Sequence, residues 1–434
     1  MMKKYYVFYL LIAALILCGC GTTKGTPTTK GTVLFADTDD DIPTKGTVLF
    51  ADTDKDNSAK RTVPFVDEDN SAKRTVPFVK VPFVRDSWAE LLGNLEPVVE
   101  ERDLSELENL YEKECASKDE ITLIFTGDIG QSEGMPITSK LDAEGGDISK
   151  CLTNGLTDVL INADILTVNN EFTYSTRGTP VEGKAYTFRA NPSRVHILTD
   201  IGADVASLAN NHAFDYTEDA LYDTMNTLKD AGICYIGAGK DIEEASLPAY
   251  FLANDKLIAI CAATQVERSN NQTQYATEDR CGVNKCLDDT LFCEEIKKAS
   301  EIADYVIVYV HWGTEGSAYF ESDQIELAED FVKAGADAII GAHPHNLQGI
   351  SYINDIPVCY SLGNFWFNSM ERDTGLIRLI IKDDEIKMQF IPCYANNCTT
   401  KLVTDESEKS RIINYMESIS YGVTIDEEGF VSKE

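Results

Sequence analysis

The chain has 434 residues, with 38 Lys and Arg against 72 Asp and Glu, a formal net charge of −34. A balance this acidic repels polyanions at long range and argues against nucleic acid as a partner. Hydrophobic residues make up 43% and charged residues 25%, enough for one large globular domain or two modest ones.

Residues 1–20 read as an export signal, with Lys3 and Lys4 supplying charge and Tyr5 to Leu17 an apolar run too short for a comfortable membrane span. Gly19-Cys20 resembles a bacterial lipobox, in which Cys20 takes lipid and becomes the mature N-terminus. The expected location is the extracellular face of the cell membrane, lipid-anchored; secretion with full release is the alternative. Residues 21–85 hold two tandem repeats. The eleven residues from Thr29 to Asp39 recur at Thr44 to Asp54, and those from Asp56 to Val66 recur at Asp69 to Val79. Such short units carry too few apolar residues to stack into a core, which favours a disordered, extended tether; a small β-structure is the alternative. Residues 1–85 carry a net charge of +2 and the remaining 349 residues −36. An anionic substrate therefore needs a local cationic feature, and a bound metal is one.

Residues 86–118 read as a lead-in helix, with Trp88, Leu91, Leu92, Leu95, Val98 and Val99 as its apolar stripe. From residue 119 to 400 the pattern alternates short β-rich runs with amphipathic helices, the mark of a layered α/β domain. Strands are expected at Ile121–Phe125, Ile165–Val168, Asp204–Leu208, Leu257–Ala262, Tyr305–Val310, Ala338–Ile340 and Val358–Ser361, and helices at Thr217–Ala231 and Asp323–Ala334. Six of these seven strands end in a polar residue able to bind metal or polarise a substrate. Residues 401–434 read as a C-terminal extension. Ten of the twelve cysteines lie beyond the signal and form no CxxC pair, so a structural zinc knuckle is not indicated and disulfides stay open.

Divalent metals of this kind need carboxylates, amide oxygens and imidazoles fixed at strand ends, with positions left open for water or substrate. Asp128, Glu171, Asn211, His311, His343 and His345 supply that set for one ion or two, of Mn, Zn, Fe or Mg. His343 and His345 flank Pro344, which pushes His343 toward extended geometry, where positions i and i+2 point the same way. His212 sits too close to Asn211 to share its ion easily and is assigned to proton donation toward a leaving group. Asn170 and Asn364 are placed to orient a ligand from behind the metal set. Trp312 either meets substrate or packs in the core, and His196 is structural.

In order along the chain, Gly127-Asp128, Asn169-Asn170-Glu171, Asn210-Asn211-His212, His311-Trp312-Gly313, Gly341-Ala342-His343-Pro344-His345 and Gly363-Asn364-Phe365 resemble the CapA family. That family is associated with poly-γ-glutamate capsule production and is placed in the calcineurin-like metallophosphatase superfamily. The resemblance covers roughly Glu120 to Pro392. It implies a four-layer α/β/β/α sandwich and a dinuclear site, with Asn211, His311, His343 and His345 at ligand positions and His212 as general acid. Two positions depart from the phosphatase pattern: Asp128-Ile129-Gly130 replaces Asp-x-His, and Asn170-Glu171 replaces Gly-Asp.

The expected function is synthesis, export or processing of poly-γ-glutamate or a related capsule polymer through a metal-dependent hydrolase-like site. The expected partners are the membrane, an anionic surface polymer and membrane synthase components. An extracellular metallophosphoesterase and a non-catalytic scaffold of a polymer synthase are the alternatives.

Overall fold

The computed structural model describes residues 107–266 and 273–434, together with residues 104 and 105 and six short strands within the first 101. The chain divides into two compact units, residues 1–104 and 105–434. In the first, the two copies of each tandem repeat pair with each other, Thr32–Ala36 against Thr47–Ala51 and Thr62–Phe65 against Arg74–Pro77, both antiparallel. Tyr6–Phe8 pairs with Val99–Glu101. Cys20, the signal cleavage region and the remainder of the tether lie outside the described residues.

The expected lead-in helix over 86–118 is corrected where residues are described. Val99–Glu101 and Leu110–Lys113 are strands, and the second pairs in parallel with Ala249–Ala253 at a sheet edge. The apolar stripe from Trp88 to Val98 lies outside the described residues; where the segment is described, its backbone pairs along a sheet edge.

The second unit is built on two sheets. The nine-stranded sheet runs in the order Cys234–Ile236, Val205–Ser207, Ile165–Asn170, Ile121–Ile129, Arg372–Lys382, Glu385–Asn396, Thr399–Leu402, Leu152–Thr153, with Asn364–Trp366 pairing beside Ile121–Ile129. The seven-stranded sheet runs Leu347–Ile353, Ile356–Leu362, Ala338–Ala342, Tyr305–His311, Lys256–Thr264, Ala249–Ala253, Leu110–Lys113. All seven strands expected from sequence are present. The Arg372–Lys382 and Glu385–Asn396 hairpin, at the centre of the larger sheet, is not among those expected.

Alternation along the strands sets the layers. Leu123, Phe125, Ile165 and Val205 face Ile258, Ile260, Ile307, Tyr309 and Ile340 in one core between the sheets. Tyr309 also donates its hydroxyl to the Thr126 carbonyl at 2.7 Å across that core. Ile124, Leu166, Val168 and Ala206 point the other way, onto Ile137, Leu141, Leu156, Leu160, Leu221, Met225 and Leu228 of the outer helices Pro136–Ala143, Leu156–Ile161 and Thr217–Asp230. The far face of the smaller sheet is covered by Thr290–Ser300 and Ser322–Ala334, joined by an edge-on Phe292–Phe331 contact at 5.1 Å. The order is helix, sheet, sheet, helix, the four-layer α/β/β/α sandwich expected.

Residues 401–434 are part of this unit. Helix Glu406–Ser418, capped by Asp405, sends Ile412, Ile413 and Met416 into the core between the sheets. Among the described residues no helix is long and apolar enough to cross a membrane, and the ten described cysteines are all free thiols.

Candidate metal centre

Strands that pair in parallel finish at one edge of a sheet, and that edge gathers the polar ends. Asn169 and Asn364 flank Asp128 in register on either side, while His311 pairs with Ala342, just ahead of His343. The larger sheet therefore delivers Asp128, Asn169, Glu171 and the Asn210–His212 turn. The smaller delivers His311, His343 and His345.

Glu171 is the meeting point. Its carboxylate is fully buried and neither oxygen has a hydrogen-bond partner. Oε1 lies 3.6 Å from His311 Nε2, 3.9 Å from His345 Nε2 and 4.0 Å from His212 Nε2. Asn211 Oδ1 is 2.8 Å from His311 Nε2, and His343 Nδ1 is buried without a partner. Two groups with converging ligand atoms result, Glu171–His311–His343 and Asp128–Glu171–His345, sharing Glu171. The ligand atoms of each group lie within 4.8 Å of one another, and the buried carboxylate without a hydrogen-bond partner is the group whose burial a divalent cation would offset.

The electrostatics agree. Burial, then the charges of Asp128 and Asp215, pushes the Glu171 carboxyl well above the ordinary carboxylate range, with Lys184 opposing. Burial and the neighbouring imidazoles drive His311 well below its usual value, and His343 down to about 3. Neutral imidazoles with free lone pairs are what a cation requires. For His345, burial works against the charged form, but the 2.9 Å contact of Nδ1 with Asp128 Oδ2 outweighs it and raises the value.

All six residues expected as ligands are brought together. Their backbone is not as expected at the histidine pair: His343 and His345 have φ of 100° and 58°, left-handed rather than extended. Such strain persists where surrounding contacts over-determine it, here the bond from His343 N to Asp128 Oδ1 and the rings turned into the site. Of the two places open to Trp312, the structure puts it in the packing. It is fully buried, donates to the Tyr360 carbonyl at 2.8 Å and stacks on Phe331 of the outer helix. Asn170 is tied by its amide to the Phe172 carbonyl at 2.8 Å, and Asn364 sits beside Asp128 with its Oδ1 buried and without a hydrogen-bond partner. His196 bonds to the Ser193 and Gly146 carbonyls, a structural role.

Sequence reasoning misses four kinds of contributor. Asn169 donates to Asp128 Oδ1 at 2.8 Å and accepts from Asn210, locking neighbouring strand ends together. Asp215 Oδ2 holds His212 Nδ1 at 2.7 Å; its i+3 spacing from His212 is the one signal that points to it. Lys184 pairs with Asp215. Phe188 and Phe367 form an aromatic wall, with Phe188 on His212 at 4.4 Å and Phe367 on His345 at 4.7 Å. Phe367 also explains Gly130. A Cβ there would lie 2.5 Å from the phenyl ring, so the ring occupies the space a side chain at 130 would need.

Residues 122–369 match the model of the family described as bacterial capsule synthesis protein, PGA_cap. The chain belongs to the PGA_cap family. It is 30% identical over 231 residues to the capsule biosynthesis protein CapA of Bacillus anthracis, covering 51% of this chain and 55% of that one. It is 31% identical over 230 residues to the PGA biosynthesis protein CapA of Bacillus subtilis (strain 168), covering 52% and 60%. A probable polyglutamine synthesis accessory protein of Mycobacterium tuberculosis is 27% identical over 228 residues, covering 50% and 58%. The matches thus span less than two thirds of each relative's length. The PGA_cap match takes in every residue of the metal centre, from Asp128 to Asn364.

Proposed function

We propose that this PGA_cap protein is a lipid-anchored, metal-dependent hydrolase that acts in the synthesis, export or processing of poly-γ-glutamate or a related capsule polymer. The names of its relatives support the polymer. The observation that carries the chemistry is Glu171, a buried carboxylate without a hydrogen-bond partner, surrounded by three imidazoles.

Glu171, Asn211, His311 and His343 would hold one ion, and Asp128, Glu171 and His345 a second. A divalent ion, when bound, acts as a Lewis acid on the scissile group. The protein's own residues do the rest. Asn169 fixes Asp128. Asp215 takes the Nδ1 side of His212 and leaves Nε2 facing the centre, positioned to move a proton to or from the reacting group. Phe188 and Phe367 shield the imidazoles of His212 and His345 from water.

The test is complementation of a strain lacking the gene, with secreted polymer measured. His343→Ala/His345→Ala and His212→Ala chains, present at normal levels, should each lose most polymer. Normal production by both variants would defeat the catalytic reading and favour a scaffold.

A further inference from the structure

Between the short paired strands Thr173–Tyr174 and Arg189–Ala190, residues 175–188 cross the site as an irregular strap. Glu182, Gly183, Ala185 and Tyr186 on it are exposed, Tyr186 to 70%. Lys184, in their midst, turns inward, and its side chain is only 5% exposed. Its ammonium lies 2.5 Å from Asp215 Oδ1 and also donates to the Asn211 carbonyl.

Asp215 is fully buried, and its other oxygen accepts both the Phe188 amide at 2.6 Å and His212 Nδ1 at 2.7 Å. A buried ammonium is costly unless paired, and an exposed strap has no packing need to bury one. Fastening the strap does not require it either. The amides of Val181 and Phe188 already bond to Asp215, the first at its carbonyl at 2.9 Å. What Lys184 adds is a fixed countercharge on the carboxylate that orients the imidazole.

We propose that Lys184 is a positioning residue: by clamping Asp215 Oδ1 from the strap, it holds His212 with Nδ1 bonded to Asp215 and Nε2 facing Glu171. The same ammonium grips the Asn211 carbonyl, so one strap residue sets both the proton-moving side chain and the backbone of a candidate metal ligand. The catalytic meaning of this rests on the function proposed above; the geometry does not.

The experiment uses the full chain in detergent micelles, labelled with ¹⁵N in its five histidines. The wild type should show one imidazole, absent from His212→Ala, with a slowly exchanging Nδ1 proton. Lys184→Met should lose that proton signal, and Lys184→Arg should restore it. Chymotryptic cutting at Tyr186 reports separately on the strap. A Lys184→Met chain that is cut faster while keeping the His212 signal would show a fastening role alone and overturn the proposal. Should Lys184→Met not fold, ¹⁵N-lysine labelling of the wild type decides. One slowly exchanging Nζ signal close to His212 supports the clamp, and its absence overturns it. Loss of the His212 signal in Lys184→Met, together with normal polymer from His212→Ala, would uphold the clamp while defeating the function proposed for the site.

Discussion

At the scale of single residues, Glu171 governs the centre. Its two oxygens are buried and unpartnered beside Asp128, a state that costs free energy and that a bound cation would relieve. Adding Mn²⁺ or Zn²⁺ to metal-stripped protein should therefore raise the unfolding temperature, by roughly 5 °C at a hundredfold excess over Kd. Glu171→Gln should abolish most of that rise, and calorimetry that finds the variant and wild type equally responsive would count against the centre. Glu295 offers a pH test away from it. On the Thr290–Ser300 helix, burial raises its carboxyl to about 8, against the 2.9 Å bond from Asn284. A carboxyl raised on folding contributes stability that is complete below its unfolded value near 4.5 and is lost as pH climbs through about 8. Between pH 5 and pH 9 the wild type should thus lose stability relative to Glu295→Gln; parallel denaturant midpoints across that range would refute this.

At the scale of elements, the close approach of two strand ends aims the site. A Cβ at Gly127 would collide with the Gly363 carbonyl oxygen, and the next amide, Asp128 N, donates to that same oxygen at 2.9 Å. Gly127→Ala should cost about 1–3 kcal/mol of stability. It should also weaken metal binding at least tenfold, because Asp128 moves with the strand; a titration showing unchanged affinity would contradict this. The strand ends were legible in sequence because each is an apolar run closed by a polar group, as in Tyr305–His311. The long hairpin at 372–396 alternates too, but it ends in no metal-binding residue and so carries no chemical flag. Lys184 was illegible for a different reason. It reaches Asp215 from an irregular strap whose course no local pattern encodes. At 110–113 the pairing partner, Ala249–Ala253, lies far along the chain, where no local pattern signals it.

At the scale of the whole molecule, an N-terminal segment carrying +2 precedes, in sequence, 349 residues carrying −36. Cys20 is the proposed attachment point. Cys20→Ser should move the protein from the detergent-rich to the aqueous phase of a Triton X-114 partition, and retention in the detergent phase would rule out lipid on that residue.

The ligands come from both sheets, with Asp128, Glu171 and Asn211 on one and His311, His343 and His345 on the other. No stretch of unfolded chain presents them together. On the function proposed, ion capture would be a late event in the protein's life, possible only after the two halves of the sandwich have docked in their final alignment. A chain that has misfolded or stopped short holds scattered weak donors and competes poorly for scarce metal. The ion would then serve as a certificate of completed assembly, and the proposed chemistry would stay off until it is issued.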